Sequence, residues 1–304
     1  MLSSSVQNLN IDQYKIDMKK VLIILLSCIL ACVQSVPIIG AILNFNFTGY
    51  TNVATLMVTN CTTDVHNQIN AVLGGSSSID VIEIPTTNPT LPHVTCVSDC
   101  TMSKAINFTL YTTDNDSVTL LPDRQRLEMK VFDKSPTVLK ATNNSRYIYA
   151  WWFYLNPSLQ AGDNFFHIFQ IKAVGTGVDD NPLATFTLTR KDGLHLRLRH
   201  NDSATTEYHN MVPLSAVVGK WTQAFVQVDF QNGVTPGAVT SGSIQVILKD
   251  QSDNQLFQGL FYNDMYWNLA NFYRPKWGLY RSISTLYRQP GDWELFNNIQ
   301  IWKK

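Results

Sequence analysis

Net charge is absent from this sequence: 23 Lys and Arg balance 23 Asp and Glu over 304 residues. That excludes a protein held to nucleic acid through its phosphates, which would be visibly basic. Charge of either sign is sparse, at 15% of residues against 45% hydrophobic ones, the reverse of a disordered chain. Cysteines number only 5 and histidines 6, without the clustered spacing that a zinc site needs. No period of roughly 20–50 residues recurs, which argues against a solenoid. A G-x-S-x-G elbow is missing, and with it the signature of a Ser-His-Asp hydrolase. So is an E-x-D-x-x-E strand that would carry the paired carboxylates of a glycoside hydrolase. Long apolar runs are lacking too. The run from Val21 to Val33 is short of the roughly 20 residues that cross a bilayer.

That run follows Lys19 and Lys20 and ends in small residues at Val33-Gln34-Ser35. A basic flank, a short apolar core and a small-residue end predict a secretory signal peptide over 1–35, including an upstream extension, with Met18 the more natural start. Sequons at Asn46, Asn60, Asn107, Asn115, Asn143 and Asn201 agree with export and mark candidate glycosylation sites. The expected product is therefore secreted and extracellular, with no membrane attachment after cleavage. Cys28 and Cys32 would leave with the signal. Of Cys61, Cys96 and Cys100, two can pair, locally across 96–100 or with Cys61, and one thiol is left over.

What the chain does have is aromatic residues, 15 Phe, 12 Tyr and 7 Trp, enough apolar matter for one sizeable core. Residues 36–78 are Thr-, Asn- and Ser-rich with a Gly-Gly-Ser-Ser-Ser break at 74–78, and read as an N-terminal extension or first strands. From 79 to 304, strands alternate with turns. Tyr147-Ile-Tyr-Ala-Trp-Trp-Phe-Tyr-Leu155 is dense in β-formers, with Trp152 and Tyr154 opposite Trp151 and Phe153. Leu194, Leu196 and Leu198 alternate with His195, Arg197 and Arg199. Trp221 to Phe230 and Ser243 to Leu248 read likewise, and Asp-Gly at 192–193, Asn-Gly at 232–233 and Pro-Gly at 236–237 supply turns. Strands at intervals of about ten residues predict an all-β sandwich or jelly roll.

Three strands carry more polar groups than a solvated face requires. In Asp123-Arg-Gln-Arg-Leu-Glu-Met-Lys-Val-Phe132, Arg124, Arg126, Glu128 and Lys130 share a face, a cationic surface braced by one carboxylate and suited to anions. In Phe165-Phe-His-Ile-Phe-Gln-Ile-Lys-Ala-Val174, Gln170 and Lys172 share one face, while simple alternation puts His167 on the other. In Arg274-Pro-Lys-Trp-Gly-Leu-Tyr-Arg-Ser282, Arg274, Lys276, Gly278 and Tyr280 alternate with Trp277 and Leu279, and the glycine admits a close approach to the backbone. The bland alternatives are a solvated face with cross-strand ion pairs, a satisfied core histidine and a structural glycine beside an edge strand.

The ordered set R-x-E-x-K/R, Q-I-x and K-x-G-x-Y resembles that of the jelly-roll polysaccharide lyases of the alginate lyase and glucuronan lyase type. The stretches Asp123–Pro136, His167–Val174 and Arg274–Ser282 are most similar to fungal-type secreted lyase-like proteins, and the resemblance spans roughly 105–304. It implies a concanavalin A-like sandwich of two antiparallel sheets whose concave sheet is the groove for an anionic polysaccharide. It also implies β-elimination. The C5 proton of a uronate is not acidic until the neighbouring carboxylate is neutralised, and a base and an acid must then move protons. By resemblance Arg126 and Gln170 neutralise the carboxylate, Tyr280 is the acid and in some members also the base, and Glu128 orients Arg126. Arg124, Lys130, Arg274 and Lys276 line the substrate. The alginate-type motif is Q-I-H, whose histidine is the base; here that place is Lys172, whose ammonium is a poor base unless desolvation or nearby cations lower its pKa. Either Lys172 is so tuned, or Tyr280 plays both parts while Lys172 holds a carboxylate, or the groove only binds. A non-catalytic carbohydrate-binding protein is thus the competing reading. No cofactor is expected, and the acidic Gly175–Asn181 loop could act as a lid or hold a cation such as a structural calcium ion.

Overall fold

A computed structural model describes residues 46–304 apart from 63, 77–79, 89, 117–122, 179–180, 201–205, 234–240 and 284–291. The signal segment, the Asn201 sequon, the Pro-Gly turn at 236–237, the acidic pair of the 175–181 loop and part of the 74–78 break lie outside those residues.

The alternating segments fold as strands. In chain order these are β1 (Thr51–Leu56), β2 (Ile82–Glu83), β3 (Val94–Asp99), β4 (Ser103–Leu110), β5 (Arg124–Lys130), β6 (Ser145–Leu155), β7 (Phe166–Val174), β8 (Pro182–Thr189), β9 (Gly193–Arg199) and β10 (Thr206–Val212). The remainder are β11 (Trp221–Phe230), β12 (Ser243–Asp250), β13 (Gln255–Tyr262), β14 (Phe272–Ser282) and β15 (Asp292–Lys303). They form two antiparallel sheets, as a jelly roll requires. One has the order β13-β12-β11-β6-β15-β4-β3, with β1 paired to the far half of β15. The other, of seven strands, has the order β10-β9-β8-β7-β14-β5-β2.

Part of the 36–78 stretch is built into this frame. Besides β1 it holds one helix, α1 (Val65–Leu73), capped by Asp64, whose carboxylate accepts the His66 amide, and ended by Gly74 in the left-handed region. Val65, Ile69 and Leu73 repeat every four residues and bury one stripe. A disulfide joins Cys61 to Cys96, so the segment after β1 is fastened to the edge strand β3. Cys100 is also disulfide-bonded in the full chain.

The inner faces of the two sheets meet in an aromatic core. Trp151 of β6 lies 4.5 Å from Phe169 of β7 and packs edge-on to Trp277 of β14. Leu127, Met129, Leu196, Val226 and Val246 fill around them, all inaccessible to solvent. The Leu194/196/198 stripe faces this core, which turns His195 and Arg197 to the outer face of the seven-stranded sheet. Trp152 and Tyr154 emerge on the opposite side of the molecule. There, with Met102, Trp221, Leu295 and Trp293, they form a second cluster on the outer face of the eight-stranded sheet. Alternation along β6 thus sends both side chains away from the seven-stranded sheet and into packing.

Candidate active site

Antiparallel register aligns the polar side chains of the seven-stranded sheet in rows across neighbouring strands, about 4.8 Å apart. One row runs Arg126 (β5), Tyr280 (β14), His167 (β7), Thr187 (β8), His195 (β9). The next runs Lys130, Lys276, Gln170, Thr185, Arg197 and ends at Tyr208 of β10. A third holds Arg274 beside Lys172.

His167 belongs to the first row because β7 is bulged. Its register against β8 slips between His167 and Phe169, and against β14 between Trp277 and Tyr280. One extra residue reverses the alternation, so His167 and Gln170, three apart, face the same side. The imidazole lies 5.8 Å from the Tyr280 ring and bonds through Nδ1 to the Thr187 hydroxyl at 2.8 Å, which is in turn 2.7 Å from Thr185. Sequence alternation had turned it inward. The same region explains Gly278. It has φ +133°, and a Cβ there would come 2.2 Å from the Leu127 carbonyl of β5. The close approach is that of the neighbouring strand, and β14 is interior to the sheet, not an edge.

The cations do not stand bare. Lys276, fully buried, is held 2.6 Å from both Glu83 and Glu128. Lys130 and Arg126 also reach Glu83, Arg126 at 3.4 Å, and Arg126 pairs with Asp116 at 3.2 Å. Gln170 donates its amide to Glu128. Burial opposes ionisation of Glu83, but Lys276, Lys130 and Arg126 outweigh it and hold its carboxyl well below the usual range. Three positive charges are thereby fixed by three buried carboxylates, so this layer is a rigid floor.

Above it sit the part-exposed groups Arg124, Lys172, Arg274 and Tyr280. The Tyr280 ring is stacked on the Arg126 guanidinium, which lies 4.0 Å from the ring centroid, and its hydroxyl accepts a bond from Arg124 at 3.0 Å. Arg124 itself is braced by Asp123 at 2.8 Å. Lys172 has no carboxylate partner among the described residues, and burial, followed by Lys276, Arg274 and Arg126, pushes its ammonium down to about 8. It shares the face with Tyr280 but lies five residues along β7 from His167, roughly 15 Å away. Burial, then Arg197, His195, Arg126 and Lys276, push the His167 imidazole well below its ordinary value, which leaves it neutral at pH 7.

The structure thus brings Arg124, Arg126, Glu128, Lys130, Gln170, Lys276 and Tyr280 together, with Lys172 and Arg274 further along the same face. Sequence reading missed Glu83, which joins three of the cations. Its signal was a lone carboxylate inside the apolar stretch Val81-Ile82-Glu83-Ile84, since a buried charge needs partners. Of the sequons, Asn46, Asn60 and Asn143 are exposed, whereas the amides of Asn107 and Asn115 are bonded to threonine hydroxyls. Among the described residues no group of three or more His, Cys, Asp or Glu could hold a metal ion.

A family model described as "Polysaccharide lyase" matches residues 68–300. No curated protein matches significantly. Among solved structures, an alginate lyase from Aplysia kurodai superposes with a TM-score of 0.52 at 14% identity, covering 83% of this chain and 98% of its own. An alginate lyase from a Chlorella virus gives 0.50 at 11% identity, covering 81% and 100%. One from Klebsiella pneumoniae gives 0.50 at 9% identity, covering 72% and 93%. At these identities the likeness is one of fold.

Proposed function

The chain belongs to the polysaccharide lyase family, and from that premise we propose that it is a secreted enzyme that cleaves a uronate-containing polysaccharide by β-elimination. The observation that carries the reading is the row in which Tyr280 lies between the Arg126 guanidinium and the neutral His167, with Arg124 bonded to its hydroxyl. Arg126 and Gln170 neutralise the uronate carboxylate, so that negative charge can accumulate there as the C5 proton leaves. In the tautomer protonated at Nδ1, which the Thr187 hydroxyl holds, Nε2 of His167 takes that proton. The C4–O bond breaks as C4=C5 forms, and the Tyr280 phenol protonates the departing oxygen. Charge that develops on the phenol oxygen meets the Arg124 guanidinium. Lys172 and Arg274, further along the sheet, hold the carboxylate of another sugar of the same chain. The floor of Glu83, Glu128 and Lys276 keeps these groups in register and does not itself touch substrate.

The fold neighbours make alginate the first polymer to try, followed by glucuronan, pectate and glycosaminoglycans. The expected result is ultraviolet absorbance from an unsaturated uronate product, lowered about 10²- to 10⁴-fold in Tyr280→Phe and in His167→Gln. Absence of product from all of these polymers, with binding retained, would make this a carbohydrate-binding protein instead.

A further inference from the structure

We propose that the outer face of the eight-stranded sheet carries a second, non-catalytic carbohydrate site that takes a neutral hexopyranose chain. The site is a cavity of about 390 Å³, within the range of small-ligand pockets, on the side of the sandwich away from the Tyr280 row. Its wall is aromatic. Tyr154 lies 5.5 Å from Trp221 and 5.8 Å from Trp293, parallel to the latter within 4°. Trp221 is buried, whereas Tyr154 and Trp293 keep part of their surface open. Tyr154 thus offers an apolar surface held rigid from behind, on which the C–H face of a pyranose can lie.

Polar groups face this wall in a fixed arrangement. Oδ1 of Asp99 accepts the Thr101 and Met102 amides at 2.8 and 2.7 Å and the Trp221 indole at 3.1 Å. These bonds lock the carboxylate, and its Oδ2 has no hydrogen bond among the described residues. Asp250 is pinned through both oxygens: Oδ1 accepts the Ser252 and Asn254 backbone amides, and Oδ2 accepts the Asn254 side-chain amide at 2.9 Å. The open oxygen of Asp99, fixed beside an aromatic wall, accepts a sugar hydroxyl, and Asp250 adds negative charge and remaining acceptor capacity at the rim.

Charge sets the class of sugar. The cavity lining holds Asp99 and Asp250 against Lys220, whose ammonium is engaged with the Ser215 carbonyl at 2.9 Å. A uronate chain would meet net negative charge here, the opposite of what it meets at Lys172 and Arg274. The two faces therefore sort glycans: acidic chains to the groove, neutral chains to the outer sheet.

The test uses the full chain carrying Tyr280→Phe, so that no cleavage confuses binding. Cellohexaose and mannohexaose are titrated by calorimetry, with an alginate hexasaccharide as the acidic probe. At least one neutral hexasaccharide is expected to bind, and to lose about 10-fold or more in affinity with Tyr154→Ala. Because Tyr154 packs on Trp221, its loss could disturb the fold. Ser252→Trp, on an exposed turn, fills the cavity without touching the packing and is expected to have the same effect. Ser252→Trp, in the otherwise native chain, should leave turnover of the acidic polymer unchanged. The proposal is overturned if neither neutral hexasaccharide binds, if their binding survives Ser252→Trp, or if the alginate hexasaccharide displaces them.

Discussion

At Lys172 one side chain combines two properties that ordinarily exclude each other: it is an ammonium without a carboxylate partner among the described residues, and it lies in a neighbourhood of cations. Burial and its neighbours Lys276, Arg274 and Arg126 lower its pKa to about 8, so it is charged at neutral pH and discharges as pH rises through that value. If it holds a substrate carboxylate, affinity for an acidic polymer should weaken above pH 8. Lys172→Arg keeps its charge at all accessible pH. The expected outcome is a KM that rises about 5-fold between pH 7 and 9 in the native protein and stays flat in Lys172→Arg, in line with about 1 kcal/mol for a partly screened contact. Parallel profiles would remove Lys172 from substrate binding. Tyr280 differs in kind: its hydroxyl is bonded and its ring stacked, which holds the phenol at one fixed point.

Elements decide which of these residues meet. On β5, β6 and β9 the period of two is unbroken, and the grouping of Arg124, Arg126, Glu128 and Lys130, or of His195, Arg197 and Arg199, could be read directly from the sequence. On β7 it could not. A bulge is an insertion relative to a partner strand, and nothing within Phe165–Val174 marks which residue is extra. Simple alternation therefore turns His167 inward, although it faces Tyr280. Glu83 escaped for another reason: β2 is only Ile82–Glu83, too short for any periodicity to appear. Gly278 was legible as special, but its reason, the β5 backbone at its flank, required the pairing of two distant segments. A side chain at Gly278 would suffer both a left-handed φ and a collision with Leu127 and Glu128. Gly278→Ala should lower stability by about 1–3 kcal/mol in urea unfolding and reduce turnover by displacing Tyr280. An unchanged urea midpoint would show that the two strands yield easily at this point.

Across the whole molecule, the sandwich interior is not purely apolar. Arg281 is bonded to Asp292 and Gln125 between the sheets, and Glu294 lies fully buried with neither carboxyl oxygen hydrogen-bonded among the described residues. Burial, with a smaller contribution from Glu128, raises the Glu294 pKa well above its ordinary 4.5. The folded state therefore binds this proton more tightly than the unfolded one. The resulting stability is complete below about pH 4.5 and is lost as pH rises from there toward the folded pKa. Glu294→Gln, which has the same shape and no charge, should remove that part of the decline. The native protein should lose stability relative to the variant between pH 4 and 8 in denaturant titrations, and a constant difference would show that Glu294 titrates normally. The fold class itself was the most legible property at this scale, because alternating aromatic strands and turn residues are distributed over the whole chain and do not depend on any one register.

Glu83 sets a limit on how the protein can be shortened. A fragment that began after this residue would keep every motif shared with the lyases, yet Lys130, Lys276 and Arg126 would then face one another with a carboxylate subtracted from their midst. Like charges in a poorly hydrated space repel or shed protons, and either response would spread the strands that carry them. The smallest piece of this chain that keeps its cations compensated is therefore defined by a two-residue strand far upstream of β14.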